Sequence, residues 1–124
     1  MDIRLTHSIV NKLEFKRNSD NAERDGCELY FTVGYYDDDT NLFAVSFTVK
    51  LKSSPDSELD LEYIAYFETS DPIDDEFKAS HFPRINAPAI AFPFLRSFIA
   101  TFMVNAGYKS VILPVVNFTT VEKR

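Results

Sequence analysis

Three kinds of residue are scarce in this 124-residue chain, which has no tryptophan, three glycines and one cysteine, Cys27. A single cysteine excludes an intrachain disulfide, and nothing indicates an oxidising compartment, so we expect a cytoplasmic protein. Three glycines leave no glycine-rich loop for a nucleotide phosphate. The only histidines, His7 and His81, have no Cys or His neighbours at the spacing of a metal site. We therefore expect no cofactor.

Basic residues are outnumbered by acidic ones. The chain has 13 Lys and Arg and 19 Asp and Glu, which gives a formal net charge of −6. A nucleic-acid-binding protein needs a basic face that neutralises phosphates, so the charge argues against that function. The acidic run at residues 37–39 lacks the spacing of a calcium loop, and a solvated turn is the better interpretation. We find no recognisable set of catalytic residues in the sequence, and we expect a protein that is not an enzyme.

Four segments in the first half of the chain alternate apolar and polar residues, which is typical of strands with one buried face. They fall at about residues 3–16, 28–36, 43–51 and 59–67. In the first segment the alternation places His7 and Ile9 inward, where His7 would be a hydrogen-bonded core histidine. The short polar breaks between the later strands favour antiparallel hairpins.

Beyond Pro72 the pattern becomes helical, with a short helix predicted at 74–82 and a long one at 87–106. Pro93 should kink the long helix or mark its true start, and Gly107 is a stop signal. We therefore predict a single α+β domain over residues 1–124. Its four-stranded antiparallel sheet is followed by a long C-terminal helix packed on one sheet face.

The long helix is apolar on every side, since Arg96 is the only charged residue between Ala87 and Tyr108. One sheet face covers only one side of a helix, so a membrane or another subunit must cover the rest. Pro93, Arg96 and Asn105 argue against membrane insertion. We therefore predict a homo-oligomer whose interface includes these helix residues: Phe94, Leu95, Phe98, Ile99, Phe102 and Met103.

Two motifs in the last third of the chain resemble those of the SecB protein-export chaperones. Residues 85–96, INAPAIAFPFLR, are similar to the start of that family's long helix, with Phe94 where the family usually has Tyr. Residues 113–118, LPVVNF, are similar to the family's Leu-x-Pro-(Val/Ile)-Asn-Phe. The motifs cover about thirty residues, and the four strands upstream are similar to the family's sheet.

The resemblance implies a homotetramer that needs no nucleotide or metal. It also implies apolar grooves that bind unfolded or precursor polypeptides, which are delivered to the motor SecA. Two features depart from the family. Its motor-docking acids fall here on Lys12 and Lys16, and only six residues follow Phe118, where the family has a second helix that covers the groove. We therefore expect an open groove and a weak case for SecA.

The polypeptides that a chaperone binds are called its clients. The candidates for binding them are aromatic residues that the strand alternation does not place in the core, or that lie in loops: Tyr30, Tyr36, Tyr66, Phe82 and Phe118. The main hypothesis is a holdase, a chaperone that keeps unfolded polypeptides from aggregating. The alternative is a SecB-like binding protein dedicated to one partner, such as an antitoxin or a regulator.

Overall fold

The fold is a four-stranded sheet followed by helices. The computed structural model of the protein describes residues 1–17, 26–53, 57–111, 113 and 116–119. The strands are β1 (Ile3–Arg17), β2 (Gly26–Tyr36), β3 (Asp39–Ser53) and β4 (Ser57–Thr69). Their order across the sheet is β1-β4-β3-β2, and each neighbouring pair is antiparallel. β1 and β2 are therefore the edges. The predicted loop at 18–26 and break at 53–56 lie largely outside the described residues.

Two helices follow the sheet, α1 (Asp75–Ala79) and α2 (Ala87–Asn105). The Asp74 side chain caps α1 by accepting a hydrogen bond from the Phe77 backbone N–H at 2.8 Å. A π-helical turn, Phe82–Asn86, leads directly into α2. The helix passes through Pro93 and ends before Gly107, whose φ of +93° is the left-handed conformation that glycine adopts without a side-chain clash. The predicted α+β fold is confirmed.

The core lies between α2 and one face of the sheet, which we call the helix face. The alternation of β3 and β4 produces this face, because the odd-numbered residues of both strands point toward the helix. They are buried at Phe43, Val45, Phe47, Val49, Leu51, Leu59, Leu61, Tyr63, Ala65 and Phe67. From α2, Leu95, Ile99 and Met103 recur every four residues and form an inner stripe that is also buried. The opposite sheet face, called the open face, has no helix on it in the described part of the chain.

The orientation predicted for the middle of β1 was wrong. The pairing of β1 with β4 shifts between Leu5 and His7 and again between Val10 and Lys12, so Thr6 and Asn11 are extra residues in two bulges. Each bulge reverses the side-chain alternation. His7 and Ile9 consequently lie on the open face, and both are exposed. The side chain of Val10 points to the helix face instead, because Val10 pairs with Tyr63.

The inner stripe should dominate the stability of the protomer. We expect Leu95→Ala to lower the free energy of unfolding by about 2–5 kcal/mol, because it leaves a cavity where the side chain is fully buried. The control is Glu76→Ala on α1, where the exposed side chain should contribute no more than about 0.5 kcal/mol. Urea unfolding of both variants tests this, and equal losses would contradict it.

Candidate functional site

The solvent side of α2 carries three exposed apolar residues, Ile90, Phe94 and Val104, which we call the outer line. Their exposed fractions are 45%, 54% and 54%. They lie opposite the inner stripe because the helix repeats every 3.6 residues. Ser97 and Thr101 share this side and are also exposed.

Between the outer line and the β1 edge lies a group of half-buried rings, the aromatic ledge, formed by Phe15, Phe98, Phe102 and Tyr108. Phe15 of β1 meets Phe102 and Tyr108 edge to face, with ring centroids 5.2 Å and 5.1 Å apart. Phe98 stacks on Phe102 at 6.2 Å. These contacts join α2 to the sheet edge through a continuous aromatic surface. A surface of this kind, left partly in water, is a candidate interaction site.

The flank of α2 over β2 and β3 is closed, in contrast to the ledge. The Phe118 ring contacts Phe92 at 5.5 Å, Phe31 at 5.8 Å and Phe47 at 6.2 Å. Phe118 is only 5% exposed. The ring that was predicted to bind clients is thus packed among three others inside the protomer, with little surface in water.

The residues predicted for the oligomer interface divide into two groups. Leu95, Ile99 and Met103 belong to the inner stripe, where the sheet of the same protomer covers them. Phe94 lies on the outer line and reaches solvent. Phe98 and Phe102 lie on the ledge between these two faces. The sequence shows the helix to be apolar all round, but it does not say which side meets the sheet.

The three tyrosines predicted to bind clients lie on the open face of the sheet, where Tyr36 and Tyr66 contact each other and Tyr30 lies further along the sheet. Tyr66 stacks on His7, with centroids 4.7 Å apart and an interplanar angle of 12°. Burial, the neighbouring Tyr66 phenol and a hydrogen bond to it raise the pKa of Tyr36. Tyr30 lies on the same face as Tyr66, because their partners on β3, Thr48 and Ala44, are separated by an even number of residues. These tyrosines do not join the ledge, because the sheet separates them.

Phe82, the remaining predicted client-binding residue, lies in the π-helical turn and is half-buried. Its ring contacts Phe77 at 6.1 Å, and Phe77 in turn contacts Phe43 at 5.5 Å. Phe43 pairs with Phe67 of β4, whereas Phe15 of the ledge pairs with Leu59 eight residues earlier on that strand. Phe82 therefore lies at the opposite end of the sheet from Phe15.

None of the four ledge residues was predicted from the sequence to bind clients. Phe98 and Phe102 were predicted for the oligomer interface, and Phe15 and Tyr108 for no site. Phe15 fits the inward alternation of β1 and was assigned to the core, since a strand pattern does not show that the strand is an edge. Tyr108 follows Gly107 in a segment without periodicity. The only sequence signal that could have drawn attention to them was the high aromatic content, 15% of the chain.

Charged side chains line a cavity of about 330 Å³ at one end of the sheet. Lys16 and Lys52 both approach Glu58, at 3.2 Å and 3.8 Å. Opposite charges on neighbouring strands stabilise the pairing modestly and leave no net charge to attract a ligand. Within the described residues, no group of three or more His, Cys, Asp or Glu could hold a metal ion.

By length and composition, the stretch Phe82–Asn105 is apolar enough to cross a membrane, with a mean hydropathy of 1.6. It is the one such stretch in the part of the chain that the structure describes. Its inner stripe packs against the sheet, and 39% of its most apolar part is buried inside the protomer.

The family model described as preprotein translocase subunit SecB matches residues 21–123 of the chain. Among solved structures, the chain is similar to the Mycobacterium tuberculosis Rv1957 SecB-like chaperone in complex with a ChAD peptide from the Rv1956 HigA1 antitoxin. That match has a TM-score of 0.71 and 11% identity, and covers 93% of this chain and 88% of the other. No curated protein gives a significant match.

A second structural match is a protein of unknown function from Streptococcus agalactiae. It has a TM-score of 0.55 and 10% identity, and covers 93% of this chain and 98% of the other. At these identities the two structural matches establish the fold alone.

The one cysteine offers a probe of the β2 edge. Neighbouring side chains partly desolvate the Cys27 sulfur, which raises the pKa of the thiol, and the Glu28 carboxylate raises it further. Because the thiolate is the reactive form, we expect iodoacetamide to modify Cys27 with a pH midpoint above that of free cysteine. Glu28→Gln should lower the midpoint, whereas Glu62→Gln on β4 should leave it unchanged. A midpoint at or below that of free cysteine would contradict this.

Proposed function

The chain belongs to the SecB family, and from that premise we propose that it is a holdase that binds unfolded or precursor polypeptides at the aromatic ledge. The observation that carries the proposal is the ledge itself, four half-buried rings that join α2 to the β1 edge. Rings offer large apolar contact areas without demanding a particular partner sequence. Such a surface suits a ligand defined by exposed apolar side chains rather than by one shape.

A polypeptide ligand is also supported by the relative whose structure was determined with an antitoxin peptide. We propose that binding is passive and needs neither nucleotide nor metal, and that the protein acts in the cytoplasm without catalysing a reaction. The proposal does not include SecA, because Lys12 and Lys16 stand where the resemblance implies acids. In the structure, Lys16 is paired with Glu58.

The outer line of α2 supports a homotetramer, or at least a dimer, as the working assembly. Ile90, Phe94 and Val104 are the most exposed large apolar residues of the helix, and a second copy would remove them from water. This arrangement divides the helix into three parts. The inner stripe holds the sheet, the outer line meets another subunit, and the ledge between them stays available to clients.

A second candidate function is service to one dedicated partner, such as an antitoxin or a regulator. The observation that favours it is the antitoxin peptide bound to the SecB-like relative. The two candidates differ in selectivity. A holdase protects many unfolded proteins, whereas a dedicated chaperone protects one.

Aggregation assays test the function and separate the two candidates. We expect the protein, without ATP, to suppress light scattering from several unrelated denatured enzymes. Phe98→Ala should weaken client affinity roughly tenfold, because buried aromatic anchors dominate such interfaces. Tyr66→Ala, which removes a half-buried ring from the open face, is the matched control and should bind normally.

Three other outcomes of these assays would each change the conclusion. Protection of one protein only would favour the dedicated partner. Failure to protect any would contradict the chaperone function. A loss of affinity confined to Tyr66→Ala would move the client site to the open face.

Light scattering in solution tests the assembly. We expect a mass of four times the 14.2 kDa protomer at micromolar concentration. Phe94→Asp should give a smaller species with unchanged circular dichroism, because this side chain is exposed in the protomer and its charge would be buried only between subunits. Phe94→Leu is the conservative control and should keep the full mass. A wild-type monomer would contradict the prediction.

A further inference from the structure

The aromatic ledge has one ring that can form a conventional hydrogen bond. Phe15, Phe98 and Phe102 are hydrocarbon, whereas Tyr108 carries a hydroxyl that can both donate and accept. In the part of the chain that the structure describes, this hydroxyl makes no hydrogen bond with another residue. It also reaches water, because no buried side-chain polar atom there lacks a partner. The half-buried Tyr108 ring therefore holds a free polar atom beside three apolar rings.

Two contacts hold the Tyr108 ring in one place. The backbone N–H of Tyr108 donates to the Met103 carbonyl at 2.9 Å, across the left-handed turn that Gly107 makes at the end of α2. The ring itself meets Phe15 edge to face, with centroids 5.1 Å apart and an interplanar angle of 78°. A side chain that is already fixed loses little conformational entropy when a ligand binds to it. The hydroxyl is thus prepared for a partner before one arrives.

The hydroxyl belongs to one end of the ledge. Phe98 contacts Tyr63 of β4 at 5.8 Å, whereas Phe15 pairs with Leu59, four residues earlier on that strand. Tyr108 contacts Phe15 and is therefore at the Leu59 end. A ligand that lies along the apolar rings would meet hydrocarbon over most of its length and the phenol at one end.

The chemistry of the ligand decides whether such a hydroxyl matters. Any ligand that lies on apolar rings gives up water, and a polar group that loses its water without a new partner costs free energy. An extended polypeptide brings a backbone N–H and C=O at nearly every residue. A hydrocarbon chain has no such groups, and a folded protein has already paired most of its own. A hydroxyl beside the rings consequently favours the extended polypeptide over the other two.

We propose that Tyr108 is a specificity-determining residue of the ledge, whose hydroxyl forms a hydrogen bond with a backbone group of an extended, apolar polypeptide. This role rests on the proposed function and names the feature by which the same site selects its ligand. Phe15, Phe98 and Phe102 supply apolar contact, which any greasy ligand can use. Tyr108 adds the contact that requires an unpaired peptide group. Because nearly every residue of a client offers that group, the selection is for unfolded backbone and not for a sequence.

The first test compares two probes on Tyr108→Phe, which keeps the ring and removes only the hydroxyl. One probe is a short unstructured peptide of Phe, Ser and a single Trp, whose fluorescence can be followed because the protein has no tryptophan. The other is pyrene, a hydrocarbon that cannot form conventional hydrogen bonds. We expect Tyr108→Phe to bind the peptide roughly three- to tenfold more weakly and pyrene as the wild type does. Tyr66→Phe, which removes a hydroxyl from the open face, is the matched control and should bind both normally.

A second test identifies the backbone group on the ligand. In a series of otherwise identical peptides, one amide at a time is replaced by an ester, which removes the N–H and weakens the C=O as an acceptor. With the wild type, one replacement should weaken binding roughly three- to tenfold more than the others do. With Tyr108→Phe, that same replacement should cost no more than its neighbours, because its partner is gone. Equal costs along the whole series in both proteins would contradict the hydrogen bond.

The remaining outcomes of the first test separate the role of Tyr108 from the function of the ledge. If Tyr108→Phe binds the peptide as tightly as the wild type does, the role is wrong while the chaperone function stands. If Tyr108→Phe binds both probes equally more weakly, the residue acts through the packing of the ledge, and the role is again wrong. If the wild type does not bind the peptide, the chaperone function fails and the role of Tyr108 fails with it.

Discussion

The packing of the α2 inner stripe on the helix face of the sheet is the contact on which the rest of the structure depends. Leu95, Ile99 and Met103 are removed from water against strands whose odd-numbered residues are buried. Once these three residues point inward, the helix geometry fixes which side chains point outward. The exposure of Phe94 and the partial exposure of the ledge follow from that single choice of orientation.

The proposed activity needs apolar surface that remains in water, which a stable protein otherwise avoids. In this fold, the buried apolar surface and the apolar surface left in water lie on different flanks of α2. Phe118 and the rings around it close one flank of α2, while the other flank stays partly open beside β1. The rings of the open flank still touch one another, so each is held in place while part of its surface is available. The core therefore tolerates the exposure that polypeptide binding requires.

The sequence alone determined the strands, the long helix and its stop, because these follow from local patterns. Period-two alternation placed the buried residues of β3 and β4 correctly, and the φ of Gly107 agrees with its prediction as a helix end. The family motifs also lie within short segments. The alternation failed in β1, where Thr6 and Asn11 form bulges, because an extra residue in a strand is visible only against the strand it pairs with.

The tertiary structure alone decided which side of α2 meets the sheet, since a helix that is apolar all round carries no signal of its orientation. It also decided that Phe118 is buried and that Phe15 meets Tyr108, because both contacts join residues far apart in the chain.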